Sequence, residues 1–232
     1  MEIKEIKEVV AALEKAGFEA YLVGGCVRDL LMNRGPKDWD IATNASPENV
    51  QKLFPASVYE NTFGTVGIKT DSEDPSLKVI EITTYRKEGR YSDKRHPDEI
   101  KFAKNINDDL ARRDFTINAI AAKIETSDKR QATSALEIVD PFGGQEDLKN
   151  KVIKTVGQPE ERFSEDALRL MRAVRLAAEL GFGIEKKTAD AIKKLSSSLE
   201  VIAKERVRDE LIKLIMSDNA ADGIRMTTES GL

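Results

Sequence analysis

The sequence predicts an α+β fold in two parts, a half that mixes strands with helices followed by a half of helices alone. Three observations carry this. Short apolar runs such as Ala20-Tyr21-Leu22-Val23 are separated by amphipathic stretches as far as the turn Pro141-Phe142-Gly143-Gly144. From about residue 158 onward, apolar residues recur only at helical spacing. The composition, 40% hydrophobic and 34% charged over 232 residues, suits a globular chain with a sizeable core rather than a disordered one.

Taken in order, Ile3, Ile6, Val10 and Leu13 repeat at helical spacing up to Gly17 and predict a helix over 2–16. Residues 20–23 read as a buried strand that runs into Gly24-Gly25 and a second helix through Met32. Asp38 to Thr43 alternates as a strand, and Ser46-Pro47 supplies an N-cap with proline at the first position of a helix over 47–54. Residues 65–70 and 78–85 read as strands, and the polar stretch 86–98 as an exposed loop. A helical stretch near Asp108 to Arg113 precedes apolar segments at 117–124 and 136–140. Helices are then predicted over 164–180, closed by Gly181, over 187–199 and over 203–216. A last helix-like stretch, Ala220 to Thr228, ends without an evident cap, which leads us to expect a chain that is a fragment or is completed by another chain.

Charge and composition narrow the chemistry. With 37 basic and 41 acidic residues the net charge is −4, which argues against non-specific coating of nucleic acid by the whole surface. A single cysteine, Cys26, excludes an internal disulfide, and a single histidine, His96, excludes the Cys/His zinc spacings, so a metal would have to sit on carboxylates. We read His96 as a surface residue, Trp39 as core and Cys26 as a small buried filler. The first residues lack an apolar signal core and no run of 18 apolar residues occurs; the expected location is the cytoplasm, without membrane contact.

Asp38 and Asp40 lie two apart in a predicted strand, so their carboxylates share one face and converge. Oxygen-only ligands favour Mg²⁺, although an isolated pair of this kind also serves as a solvated surface pair or an N-cap. Gly24-Gly25, about fifteen residues upstream, opens a helix directly after a strand, where bare amides can hold phosphates; Arg28 follows one turn later. Glu81 sits in an otherwise apolar strand and asks for a partner, either a metal or a basic side chain. On a helix over 164–180, Leu170, Met171, Val174, Ala177 and Ala178 form an apolar stripe, while Arg169, Arg172 and Arg175 fall opposite, toward water or a cleft. Asp166 and Arg169, three apart, set an acceptor beside a donor. An acid such as Asp166 near a helix start also simply complements the helix dipole. As a functional pair, Asp166 and Arg169 could accept cytosine and adenine, which each present an amino donor next to a ring-nitrogen acceptor, and leave uracil and guanine with unpaired polar groups.

The run LVGGCVRDLLMNRGPKDWDIAT at 22–43 resembles the nucleotidyltransferase signature of class II CCA-adding enzymes and bacterial poly(A) polymerases. EITTYR at 81–86, DLARRDFTINAIA at 109–121, DPFGG at 140–144, RFSEDALRLMRAVRLAAELGF at 162–182 and ERVRDEL at 205–211 resemble later motifs of the same family, so the likeness covers nearly the whole chain. It implies a nucleotidyltransferase head with a mixed β-sheet and flanking helices over 1–138, a helical neck over 139–204, and the start of a truncated helical body over 205–232. It implies Mg²⁺-dependent, template-independent transfer from CTP and ATP to a tRNA 3′ end, with DNA not expected as a partner. By the resemblance, Asp38 and Asp40 hold the metal and Glu81 completes the acidic cluster. Gly25 and Arg28 hold the triphosphate, Arg113 and Asp114 face the nucleotide near the ribose, Asp166 and Arg169 form a protein template for the base, and Arg172 and Arg175 also contact the nucleotide. The loop at 86–98 fits the element that the family uses when it switches from C to A addition. A poly(A) polymerase shares these motifs, and a nucleotide- or RNA-binding module without turnover is the alternative from another class.

Overall fold

The computed structural model describes residues 4–59, 64–88, 100–125 and 136–232. The chain divides into two compact units. The first comprises Met1–Lys87, Ile100–Arg112 and Asn118–Pro141, and the second Glu88–Glu99, Arg113–Ile117 and Phe142–Leu232. His96 and the larger part of the 86–98 loop lie outside the described residues.

In chain order the first unit contains α1 (Lys4–Lys15), β1 (Ala20–Val23), α2 (Gly25–Leu31), β2 (Trp39–Thr43), α3 (Pro47–Leu53), β3 (Val58–Tyr59), β4 (Thr65–Lys69), β5 (Val79–Thr84), β6 (Arg86–Glu88), β7 (Ile100–Phe102), α4 (Ile106–Ala111), β8 (Ala121–Lys123) and β9 (Glu137–Val139). Seven strands form one mixed sheet in the order β3-β4-β5-β2-β1-β8-β9, while β6 and β7 make a separate pair. β2 and β5 run parallel, and the flanking pairs β1/β2 and β4/β5 are antiparallel.

Strand periodicity gives this sheet two unlike faces. Leu22, Trp39, Ile41, Ile80, Ile82 and Val66 are buried on one, where Ile6, Val10 and Leu13 of α1 and Val50 of α3 add to the core. Asp40, Glu81 and Thr83 lie on the other, because the register pairs Asp40 with Glu81 and Ala42 with Thr83. Two cores of local order fix the connections. Ser46 accepts the Asn49 N–H as the N-cap of α3, and Gly24 takes φ 74°, ψ −135°, a conformation that favours glycine, at the turn from β1 into α2.

The second unit contains α5 (Gly144–Lys149), β10 (Val152–Ile153), α6 (Pro159–Glu165), α7 (Leu168–Leu180), β11 (Gly183–Ile184), α8 (Lys186–Leu195), α9 (Lys204–Ile215) and α10 (Ala220–Ser230). Helix α7 is its axis: Val174 and Ala178 pack with Leu214 of α9, and Ile184, Met226 and Leu232 close over them.

Four expectations change at this level. Asp38 stands in a bend just ahead of β2 rather than inside it. Residues 86–88, read from composition as the start of a loop, form a strand. The last helix has a cap: Gly231, at φ 74°, donates its N–H toward the Thr227 and Thr228 carbonyls. The helix predicted over 164–180 is two helices, because Asp166 takes an extended backbone (φ −141°, ψ 107°) and its Oδ1 accepts the Leu168 N–H at 3.0 Å. A short carboxylate that captures a nearby amide competes with the helical ladder, and here it ends α6 and opens α7.

Candidate active site

The antiparallel register of β1 and β2 builds the first part of the site. Leu22 pairs with Ile41, so the next step along each strand sets the end of β1 and its glycine turn beside Asp40. Cys26 reinforces this from below: its buried Sγ lies 3.1 Å from the Val23 carbonyl and 3.7 Å from the Asp40 carbonyl. A methyl group placed on Gly25 would stand 3.6 Å from Arg28 Nη2 and 3.9 Å from Asp38 Oδ1. The bare glycine, the guanidinium and the carboxylate therefore surround one small space at the N-terminus of α2.

Arg28 is held firmly. Its Nε and Nη2 donate to Asp29 Oδ1, each at 2.8 Å, and its Nη1 donates to Asn118 Oδ1 at 2.9 Å. Three of the five guanidinium N–H groups are used in this way, and Asp29 offsets its charge, so Arg28 acts as an oriented donor more than as a net positive charge. Neither Asp29 nor Asn118 was singled out in the sequence. The signal was present as an acid next to Arg28 and as a polar residue inside the apolar run Ile117 to Ala122.

Asp40 and Glu81 face each other across the parallel β2/β5 pair. Glu81 is exposed on this face. Among the described residues no group of three or more His, Cys, Asp or Glu side chains is placed to hold a metal ion. The structure therefore sets Asp38 against Gly25 and Asp40 against Glu81 without drawing all three acids into one ligand cluster.

In the second unit Arg169 and Arg175 of α7 do not face water, being only 8% and 9% exposed, whereas the Arg172 side chain stays partly exposed. Each arginine is matched to an acid. Arg169 Nη1 donates to Glu165 and, at 2.9 Å, to the Arg162 carbonyl. Arg172 Nε and Nη2 reach Asp114 Oδ2 at 2.8 and 2.6 Å. Arg175 donates to Glu210 and to Glu179, both at 2.6 Å. Buried charges demand such partners, and helical spacing alone does not reveal them. Burial pushes the Asp114 carboxyl up, but the charge and hydrogen bonds of Arg172, the charge of Arg169 and the Phe115 amide outweigh it and hold the group well below the usual carboxylate range. Asp114 in turn raises the Arg172 guanidinium above its ordinary value. Arg113 beside it is half-buried.

Asp166 and Arg169 do not pair with each other as neighbours on a continuous helix. The break between α6 and α7 turns the Asp166 side chain toward Arg206, whose Nη2 is 3.0 Å from Oδ2, while the Arg169 amide bonds the Asp166 carbonyl at 3.0 Å. The two residues remain one turn apart, each with its own counter-charge. Glu165, Arg206 and Glu210 are the partners that periodicity missed; ERVRDEL marks the last two, but only the fold shows what they touch.

A mixed sheet with carboxylates on its open face beside a glycine turn that caps a helix defines a nucleotidyltransferase head. A family model described as the poly A polymerase head domain matches residues 20–154. A second, described as the probable RNA and SrmB-binding site of polymerase A, matches residues 181–232. The chain belongs to the poly A polymerase head-domain family. It is 44% identical to a CCA-adding enzyme of Lactobacillus helveticus over 97% of this chain and 53% of that protein, and 42% identical to one of Anoxybacillus flavithermus over 100% and 55%. The crystal structure of the Bacillus stearothermophilus CCA-adding enzyme in complex with CTP superposes with a TM-score of 0.85 at 38% identity, covering 100% of this chain and 53% of that one. A tRNA nucleotidyltransferase complexed with a primer tRNA and an incoming ATP analog gives a TM-score of 0.75 at 26% identity, over 96% and 60%. The chain thus spans about half the length of the curated relatives it matches.

Proposed function

We propose that this chain carries out template-independent addition of C and A nucleotides, from CTP and ATP, to the 3′ end of tRNA. The observation that carries the reading is the convergence of Gly25, Arg28 and Asp38 on one space beside Asp40 and Glu81. The 3′-oxygen of the RNA forms a bond to the α-phosphorus, the bond to the β-phosphate oxygen breaks, and pyrophosphate leaves while the hydroxyl proton passes to solvent. Gly25 lets the triphosphate approach the helix N-terminus, and the remaining N–H groups of Arg28 orient it.

Asp38 and Asp40 fit a divalent cation by their chemistry, two oxygen ligands with no nitrogen or sulfur, which is the set that Mg²⁺ takes together with substrate phosphates and water. Held by Asp38 and Asp40, such an ion would supply charge stabilisation for the attacking oxygen and the leaving pyrophosphate. Glu81, across the strand pair from Asp40, adds negative charge on the same face, which attracts a cation there.

Base selection belongs in this reading to Asp166 and Arg169, whose counter-charges Arg206 and Glu165 hold an acceptor and a donor one turn apart. Arg113, Asp114, Arg172 and Arg175 complete the nucleotide contacts, with Asp114 kept ionised by Arg172. Relatives named for CCA addition, including one bound to CTP, support this over A addition alone, and incorporation of CTP separates the two. A single cysteine and the lack, among the described residues, of any helix long and apolar enough to cross a membrane support a cytoplasmic setting.

The test is extension of a tRNA lacking its terminal CCA, with product masses read after incubation with CTP, ATP and Mg²⁺. Addition of two C and one A is expected, and Asp40→Asn abolishes it while leaving the melting temperature within a few degrees. A ladder of A from ATP alone, or full activity in Asp40→Asn, overturns the reading.

A further inference from the structure

We infer that Thr83, oriented by Thr65, is the residue that recognises the 2′-hydroxyl of the acceptor's terminal ribose, and so restricts the enzyme to RNA ends. The inference rests on the nucleotidyl-transfer reading above and goes on to ask where the acceptor lies. In-line displacement sets the attacking oxygen opposite the leaving pyrophosphate. Gly25 and Arg28 place the phosphates at the β1/α2 side of Asp38 and Asp40. The strand order β4-β5-β2-β1 then leaves the opposite side, over β5 and β4, for the acceptor.

Register places Ala42, Gly67, Thr83 and Thr65 around Glu81 on one face. Ala42, Gly67 and Thr65 are buried, so the half-buried Thr83 and the exposed Glu81 are the side chains this part of the face can offer to a ligand. Of the same-face neighbours that flank Glu81 along β5, Val79 is apolar and Thr83 polar. The two threonine hydroxyls lie 3.2 Å apart. Thr65 is 8% exposed, and among the described residues its hydroxyl has Thr83 as its partner. Either hydroxyl can donate in this pair. With Thr65 as the donor, the half-buried Thr83 has its own proton to offer outward. A vicinal diol whose 3′-oxygen stands over Asp40 and Glu81 presents its 2′-oxygen to this donor, and the 2′-oxygen is what distinguishes RNA from DNA.

The experiment compares kcat/KM for a single CMP addition to acceptors that end in ribose or in 2′-deoxyribose, by the wild type, Thr83→Val and Thr83→Ser. The ratio of the two acceptors cancels the intrinsic difference between the nucleophiles. We expect the ribose preference to fall about tenfold in Thr83→Val, as for one lost hydrogen bond, and to survive in Thr83→Ser. CTP affinity measured by calorimetry stays unchanged in both, which a merely structural role would not ensure. Thr83→Ala gives the same ratio test where valine crowds the face. An unchanged preference in both hydroxyl-free variants overturns the assignment of Thr83 alone. A wild type that extends neither acceptor overturns the transfer reading, and this inference with it.

Discussion

Asp114 shows how much a single side chain depends on its neighbours. Alone, burial would favour its neutral form; with Arg172 forked onto one oxygen at 2.6 and 2.8 Å, the charged form wins and the carboxyl titrates well below its unfolded value of 3.8. A depressed carboxylate contributes stability that is fully present above the unfolded value and is lost as pH falls through the folded one. Replacing Asp114 by Asn removes the charge and leaves Arg172 without that partner, at a cost of about 3 kcal/mol at neutral pH. Chemical denaturation across pH should therefore show a wide gap between wild type and Asp114→Asn at pH 7 that narrows steadily below about pH 4. A gap independent of pH would mean that the ion pair is not its source. At this scale the sequence named many of the players but few of their partners. Arg28, Asp114, Arg172 and Arg175 stand out as residue types in motifs, whereas Asn118 holding Arg28 and Glu210 holding Arg175 are contacts across 90 and 35 positions that no local pattern encodes.

Elements were read well wherever local signals agreed. The apolar run Ala20 to Val23 ended by a glycine pair is β1, and Ser46-Pro47 starts α3 with the expected cap. They were misread where one side chain overrides periodicity: the apolar stripe runs straight through Asp166, yet its capture of the Leu168 amide breaks the helix in two. Close packing of α10 gives a test in which two effects oppose each other. Glycine to alanine inside a helix gains about 1 kcal/mol from propensity. At Gly223, however, the added methyl would lie 2.9 Å from Ala178 Cβ and 2.9 Å from Leu214 Cδ2, and the Ala178 methyl has no rotamer by which to move away. Overpacking of this kind costs about 1 to 3 kcal/mol, so Gly223→Ala is expected to lower the melting temperature by several degrees. A rise in melting temperature would show that α10 can lift away from α7 and α9 without loss.

Across the whole molecule, the two compact units carry different tasks in the proposed function, phosphoryl transfer in the first and base selection in the second. The first is built around a mixed sheet in which register pairs Asp40 with Glu81, and the glycine turn after β1 was legible in the sequence from the apolar run that it ends. The second is an ion-pair network wound around a buried helix, and its geometry emerges only when distant segments meet. The net charge of −4 conceals this, because Glu165, Asp114 and Glu210 are matched to the arginines of α7. The most direct test of base selection is a calorimetric titration of the chain with CTP, ATP, UTP and GTP in Mg²⁺, repeated with Asp166→Ala. Preference for CTP and ATP over UTP and GTP, erased by the substitution, is the predicted result; equal binding of all four nucleotides, or a preference that survives the loss of Asp166, would contradict it.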